Sequence, residues 1–228
     1  MDGSALDLII SGNGQLYAIV QLSLLVTLAA TLAAALIGLP LGAAVALAHF
    51  PGRNAVVVLL NGFMGLPPVV VGLMVFLALS RSGPLGPLGL LFTPTAMVIA
   101  QALLIAPIVA ALTRQVIEDL WAEYREEFTA MQVSPAARVT ALLWDARFSL
   151  VTILLAGFGR AAAEVGAVMI VGGNIDGFTR VMTTSIALET SKGNLPLAIG
   201  LGTVLICLIL AVNALAWSLR QWAERHAG

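Results

Sequence analysis

The stretch RQVIEDLWAEYREEFTAMQVSPAARVTALLWDAR, residues 114–147, is the only long polar segment in an otherwise almost continuously apolar chain. Ten charged residues sit in it: Arg114, Glu118, Asp119, Glu123, Arg125, Glu126, Glu127, Arg138, Asp145 and Arg147. Val116, Ile117, Leu120, Trp121 and Tyr124 recur at helical spacing, so the first half reads as an amphipathic helix. Ser134-Pro135 is a helix start, with Ser as N-cap and Pro at the first helical position. The segment therefore predicts two short helices outside a membrane, held between two membrane spans.

Composition supports that placement. The 228 residues are 60% hydrophobic and 10% charged, with mean hydropathy +1.01. Soluble domains carry about 25% charged residues, so the chain reads as a polytopic, all-α membrane protein. A net charge of −1 gives no nucleic-acid footprint. The single cysteine, Cys207, lies in an apolar run and excludes a disulfide within the chain. Asp2 and Asp7 precede the first apolar run with no Lys or Arg, which predicts no cleavable signal peptide.

Five spans follow from the apolar runs. The first, about 15–48, follows the break at Gly12-Asn13-Gly14 and predicts one long helix kinked near Pro40; residues 5–11 are expected at the interface. The second, about 55–80, is interrupted by Gly65-Leu66-Pro67-Pro68. Pro67 and Pro68 remove two backbone donors, which is tolerated in a membrane only where protein or a water-lined cavity covers the freed carbonyls. They mark either a simple kink or a pathway-lining break. Residues 81–93 read as a Gly/Pro loop. The third span is about 94–113, with Gln101 placed for an interhelical hydrogen bond. The polar segment occupies 114–146. A fourth span follows at about 147–171, then a Gly-rich polar stretch at 172–194 with a short amphipathic helix near 183–190, and a fifth span at about 195–219. Arg53, Arg114, Arg125, Arg138, Arg147, Arg220 and Arg225 collect on one side, against Arg81, Arg180 and Lys192 on the other. The positive-inside rule then places the C-terminus and the polar segment in the cytoplasm, and the N-terminus and 172–194 outside.

Arg160 and Glu164 fall within the fourth span, four residues apart. Intramembrane charges are costly and face a bundle interior or an aqueous path. The pair reads either as a gate element, with Arg160 able to meet an anion, or as a self-neutralising structural pair. Gly166, among the small residues of that span, and Asn174 beyond it complete the pathway candidates. No catalytic constellation is legible. His49 and His226 are isolated, so no His-based metal cluster is expected. The only lysine, Lys192, is followed by Gly193, so the chain has no phosphate-binding G-K-[ST] loop. An ATP-driven process would need its ATPase on another chain.

Four stretches carry a family resemblance: MGLPPVVVGL at 64–73, SRSGPLGPLGLLFTPTAMVIAQ at 80–101, AGFGRAAAEVGAVMIVGGNI at 156–175 and TRVMTTSIALETSKGN at 179–194. The sequence resembles the permease subunit of binding-protein-dependent type I ABC importers, and within them the tungstate branch, close to molybdate and sulfate permeases. The resemblance implies a homodimeric permease for a tetrahedral oxyanion, tungstate first and molybdate second, in the cytoplasmic (inner) membrane. It also implies an ATP-binding subunit that carries ATP and Mg, an extracytoplasmic substrate-binding protein, and no cofactor in this chain. Membrane lipid is a further expected partner. The family's cytoplasmic signature is Glu-Ala-Ala, three residues, Gly, and later Ile-x-Leu-Pro. Here it corresponds to Glu126, Glu127 and Phe128, then Gln132, with Leu142, Trp144 and Asp145 farther on. Gln132 stands where the family has Gly, and Asp145 where it has Pro. The resemblance implies that Glu126, Glu127, Phe128, Gln132, Val133, Ser134 and Pro135 contact the ATPase, with 126–133 as the docking helix. A stand-alone secondary transporter or channel would show inverted repeats and a set of intramembrane ionisable groups, and neither is evident.

Overall fold

The computed structural model describes residues 14–226, and every regular element among them is a helix. In chain order these are α1 (Gly14–Leu47), α2 (Arg53–Phe63), α3 (Pro68–Leu79), a 3-10 turn (Gly86–Leu88), α4 (Pro94–Ala130) and α5 (Pro135–Asp145). Then come α6 (Arg147–Ala162), α7 (Gly166–Gly172), α8 (Met182–Ser191) and α9 (Leu195–His226). Helices α1, α4 and α9 are long and apolar enough to cross a membrane; the count rises to five if α2–α3 and α5–α6 each make one broken span. The expected break at Gly12-Asn13-Gly14 and the interfacial piece at 5–11 involve residues outside the described ones.

Four boundaries differ from the sequence expectation. The third span and the first polar helix are one helix, α4, of 37 residues. The 3.6-residue periodicity continues from apolar into polar composition without a breaker, so the backbone has no reason to stop at residue 113. The fourth span is broken at residues 163–165, between α6 and α7. The expected docking helix 126–133 ends at Ala130, and residues 131–133 form a turn. Helix α9 continues past residue 219 to His226, through polar residues that propagate a helix well.

The proline-bearing interruption of the second span is present and has a local cause. Pro67 is the extended N-cap of α3 (ψ 121°) and Pro68 occupies its first turn. A residue before proline is pushed out of the helical region, and a proline at N1 needs no hydrogen-bond donor. The end of α2 is closed by tight bonds from the amides of Gly65 to Gly62 O (3.1 Å) and Leu66 to Phe63 O (3.2 Å).

The chain divides into two compact units. One comprises residues through Ala30, Pro67–Gln101 and the chain from Gly159 onward; the other comprises Thr31–Leu66 and Ala102–Phe158. In the first unit α3 packs on α7 and α8 on α9. The α3–α7 approach depends on Gly72, where a Cβ would lie 2.7 Å from Ala167 Cα; small residues permit this backbone proximity. The 80–93 loop is tied down: the Phe92 amide donates to Val171 O at 2.9 Å, and its ring meets Phe76 edge-on at 6.1 Å. The helix expected near 183–190 is α8, whose first turn (Met182, Thr183, Thr184, Ser185) is buried. The Met182 amide donates to Ser23 Oγ on α1 at 2.8 Å. The end of α8 is exposed and polar. Gly193, at φ 79°, closes it, while Lys192 and Asn194 both donate to the Glu189 carboxylate at 2.9 Å. The hydrogen bond from Lys192, with help from Asn194, holds that carboxyl below the ordinary glutamate range despite partial burial.

In the second unit Val45, Leu60, Ala110 and Ala111 form an apolar cluster, with Val56 and Val57 against it. Gly38 lets α1 meet α4, since a Cβ there would lie 2.8 Å from Val109 Cβ.

Candidate functional site: the polar helix pair and the buried ion pair

The exposed end of α4 carries an aromatic stripe, which α5 meets through Arg138. Trp121 and Phe128, seven residues apart, stack at 6.2 Å, and Tyr124 meets Phe128 edge-on at 6.3 Å. The Arg138 guanidinium of α5 lies 5.5 Å over the Trp121 ring and its Nε donates to Val133 O at 2.8 Å. One arginine therefore holds the α4 end, the turn and α5 together, by a cation–π contact and by a bond to an otherwise free carbonyl. Ser134 caps α5 by accepting from the Ala137 amide at 3.3 Å, with Pro135 in the first turn. Both roles were legible in Ser134-Pro135.

The turn between them has a defined geometry. Gln132 adopts φ 51°, in the left-handed region. Its amide donates to Thr129 O and that of Val133 to Phe128 O, both at 3.1 Å. That pair of bonds is the Schellman ending, with Gln132 in the place usually taken by glycine. The chain thus keeps the turn for which the family signature uses Gly. The cost is that of a non-glycine residue in the left-handed region, about 1 kcal/mol.

What this framework leaves exposed is the candidate docking face: Glu126, Glu127, Met131, Gln132, Ser134 and Pro135, with Trp144 on α5. Phe128 and Val133 are half-buried and act as supports. Met131 is 74% exposed and Trp144 71%, a large apolar area for two residues displayed among charges. Met131 carried no signal in the sequence beyond its place beside Gln132. The α5 and α6 axes meet at 71°, and Arg147 at that corner covers Trp144 and Phe148 at 5.1 and 4.5 Å.

Glu118 joins this end of α4 to the helices beside it. Its two carboxylate oxygens pair with Arg53 and with Arg114. Arg53 also donates from Nε to Val45 O at 2.9 Å and from Nη2 to Ala46 O at 3.3 Å. It therefore closes the C-terminal end of α1 while beginning α2. The sequence grouped Arg53 and Arg114 on one side of the membrane but did not reveal the shared carboxylate, which joins residues 65 positions apart.

The Arg160–Glu164 pair lies in the other unit. Arg160 Nη1 and Glu164 Oε2 are 2.7 Å apart. Glu164 is in the break after α6 and not on its face. Its Oε1 accepts the Ala167 amide at 3.1 Å, so the carboxylate also caps the first turn of α7. Glu164 is 4% exposed and Arg160 36%, so the acid is spent within the chain while part of the arginine side chain remains open. Neighbouring polar groups close the break. Gln101 Nε2 donates to Ala161 O at 3.1 Å and Thr183 Oγ1 to Glu164 O at 2.9 Å. Gly166 begins α7 and lies against Val69, where a Cβ would come within 2.9 Å of Cγ2. Asn174 sits at φ 49° in the turn after α7, its Oδ1 buried and unpartnered among the described residues. Pro67 and Pro68 start α3 in the same unit.

Several helices long and apolar enough to cross a membrane, one of them running on into an ordered polar segment, define a multi-span membrane protein. Residues 38–227 match the family described as binding-protein-dependent transport system inner membrane component, and the chain belongs to that family. It is 40% identical over 218 residues to the tungstate uptake system permease protein TupB of Peptoclostridium acidaminophilum, covering 96% of each chain. It is 41% identical over 211 residues to a Haloferax volcanii protein named "Probable anion ABC transporter permease protein", covering 90% of this chain and 91% of that one. The Campylobacter jejuni TupB is 36% identical over 173 residues, 76% of this chain and 72% of that one.

The turn generates a prediction. Gln132→Gly should leave thermal stability in detergent unchanged or raised by up to about 1 kcal/mol, because relief of the left-handed strain offsets the greater entropy of glycine. Gln132→Val, β-branched at the same φ, should cost about 1–2 kcal/mol. Equal melting of the two variants would contradict the geometry given for residues 131–133.

Proposed function

We propose that the chain is the membrane-spanning subunit of an ATP-driven importer for a tetrahedral oxyanion, tungstate in the first place. The observation that carries this is the similarity to a tungstate uptake permease along 96% of both chains. In this reading α2–α3 and α6–α7 each serve as one broken span, making five with α1, α4 and α9; the N-terminus is outside and the polar helix pair, the end of α4 with α5, is in the cytoplasm. Two copies enclose the path. ATP hydrolysis belongs to a partner subunit, and an extracytoplasmic binding protein delivers the anion. The exposed Glu126, Glu127, Met131, Gln132, Ser134, Pro135 and Trp144 form the surface that the ATPase grips. A rigid handle suits the task, because a motion imposed on it reaches α4 and α6 without being absorbed in a loose loop. Arg160, with part of its side chain open and Glu164 already satisfied, is the group in the path that meets the anion.

Two experiments bear on this reading. In proteoliposomes with the ATP-binding subunit, tungstate-loaded binding protein should stimulate ATP hydrolysis, and Glu126→Lys should abolish the stimulation while the permease stays inserted. Full stimulation in that variant would remove Glu126 from the docking face. The ion pair calls for a cycle of Arg160→Ala, Glu164→Ala and both together, scored for folded yield and uptake. Arg160→Ala alone should lower yield most, since a carboxylate 4% exposed would lose its cation at a cost of about 3–5 kcal/mol. The double variant should recover yield but not uptake. Recovery of both would make the pair structural only.

A further inference from the structure

The turn joining α1 to α2 bears a pocket of about 280 Å³ lined by His49, Phe50, Gly52, Arg53 and Asn54. No acidic residue lines it. The nearest carboxylate described, Glu118, is already shared by Arg53 and Arg114, so the three groups carry one net positive charge. The side chain of Arg53 is 26% exposed. Asn54 is exposed and opens α2, whose N-cap, Gly52 at φ 89°, has no side chain to satisfy the first amides. The pocket thus combines a guanidinium whose Nε and Nη2 are engaged with α1 carbonyls and Glu118, a side-chain amide, an imidazole and the positive end of a helix.

What lies beside it is apolar. Ala55, Val58, Leu59, Gly62 and Phe63 are exposed along α2 at helical spacing, while Val56, Val57 and Leu60 turn inward to the cluster with Val45 and Ala110. The outward stripe begins one residue after Asn54 and runs away from the pocket. An anion site at the head of an apolar stripe, at the end of two membrane-spanning elements, matches an amphiphile whose phosphate and acyl chains are adjacent. A free anion would use the pocket and leave the stripe without a function.

We infer that this pocket holds the headgroup phosphate of an anionic phospholipid, with its acyl chains along the exposed face of α2. The inference rests on the membrane placement of the chain and is independent of the cargo and of the coupling face. Occupancy would hold the α1–α2 corner beside the Glu118 clamp.

The test is native mass spectrometry of the full chain purified in detergent, titrated in parallel with dioleoylphosphatidylglycerol and dioleoylphosphatidylcholine. The phosphatidylglycerol adduct should be favoured by about fivefold, as expected for one net positive charge near the headgroup. Asn54→Asp places a carboxylate in the pocket, and a negative charge at a helix N-terminus does not threaten the fold. This variant should lose most of the preference while keeping the native unfolding temperature. Equal retention of the two lipids by the native chain would overturn the proposal, as would an unchanged preference in Asn54→Asp. Displacement of the bound lipid by excess inorganic phosphate at fixed ionic strength would put a free anion in the pocket and overturn the lipid assignment.

Discussion

A helix that breaks in apolar surroundings frees carbonyls and amides that no water will satisfy, and this constraint shapes the chain more than any other. At the α6–α7 break three of the freed groups are met by side chains. Gln101 donates to the Ala161 carbonyl, Thr183 to the Glu164 carbonyl, and the Glu164 side chain accepts the Ala167 amide. The turn after α7 is closed by one hydroxyl, since Thr179 donates to Gly172 O at 2.6 Å and accepts from the Ile175 amide at 2.9 Å. At the end of α1 the donor is Arg53. Most of the buried polar side chains in the first unit are accounted for by this need, and it places Glu164 where it both caps α7 and is neutralised by Arg160.

The same logic separates the parts that are fixed from the parts on offer. Arg114, Glu118 and Arg138 spend their charges on each other, on a backbone carbonyl or on an aromatic face, whereas Glu126, Glu127, Met131 and Trp144 turn exposed surface outward. A segment whose framework is internally satisfied and whose outer face is not is suited to act as a handle. Partly exposed ion pairs contribute little each; the value of the Glu118 cluster is geometric, since it joins the α1–α2 corner to α4.

The legible part of the architecture was that written in local breakers and composition. Pro67-Pro68 and Ser134-Pro135 announced helix starts because proline and an N-cap act within one turn. The spans were legible because apolar runs are long. The continuity of α4 was missed because a change in composition at residue 114 was taken for a change in backbone. The break at 163–165 was missed because AAEV contains no breaker; it persists because Gln101 and Thr183, distant in sequence, satisfy it. The Arg160–Glu164 contact was anticipated from spacing, but its capping role depends on that break. Gln132 stands where the family signature has Gly, and the backbone takes the left-handed conformation with a side chain present.

The central claim is that the face bearing Met131 and Trp144 is gripped by the ATP-binding subunit. Single cysteines at Met131 and at Trp144, and a control at Ser82, should be exposed to a short bifunctional maleimide in membranes that contain the whole transporter. The account predicts cross-links to the ATP-binding subunit from Met131 and Trp144, changing in yield with nucleotide, and none from Ser82. Cross-linking from Ser82, or its absence at both Met131 and Trp144 in a complex that still hydrolyses ATP, would contradict it.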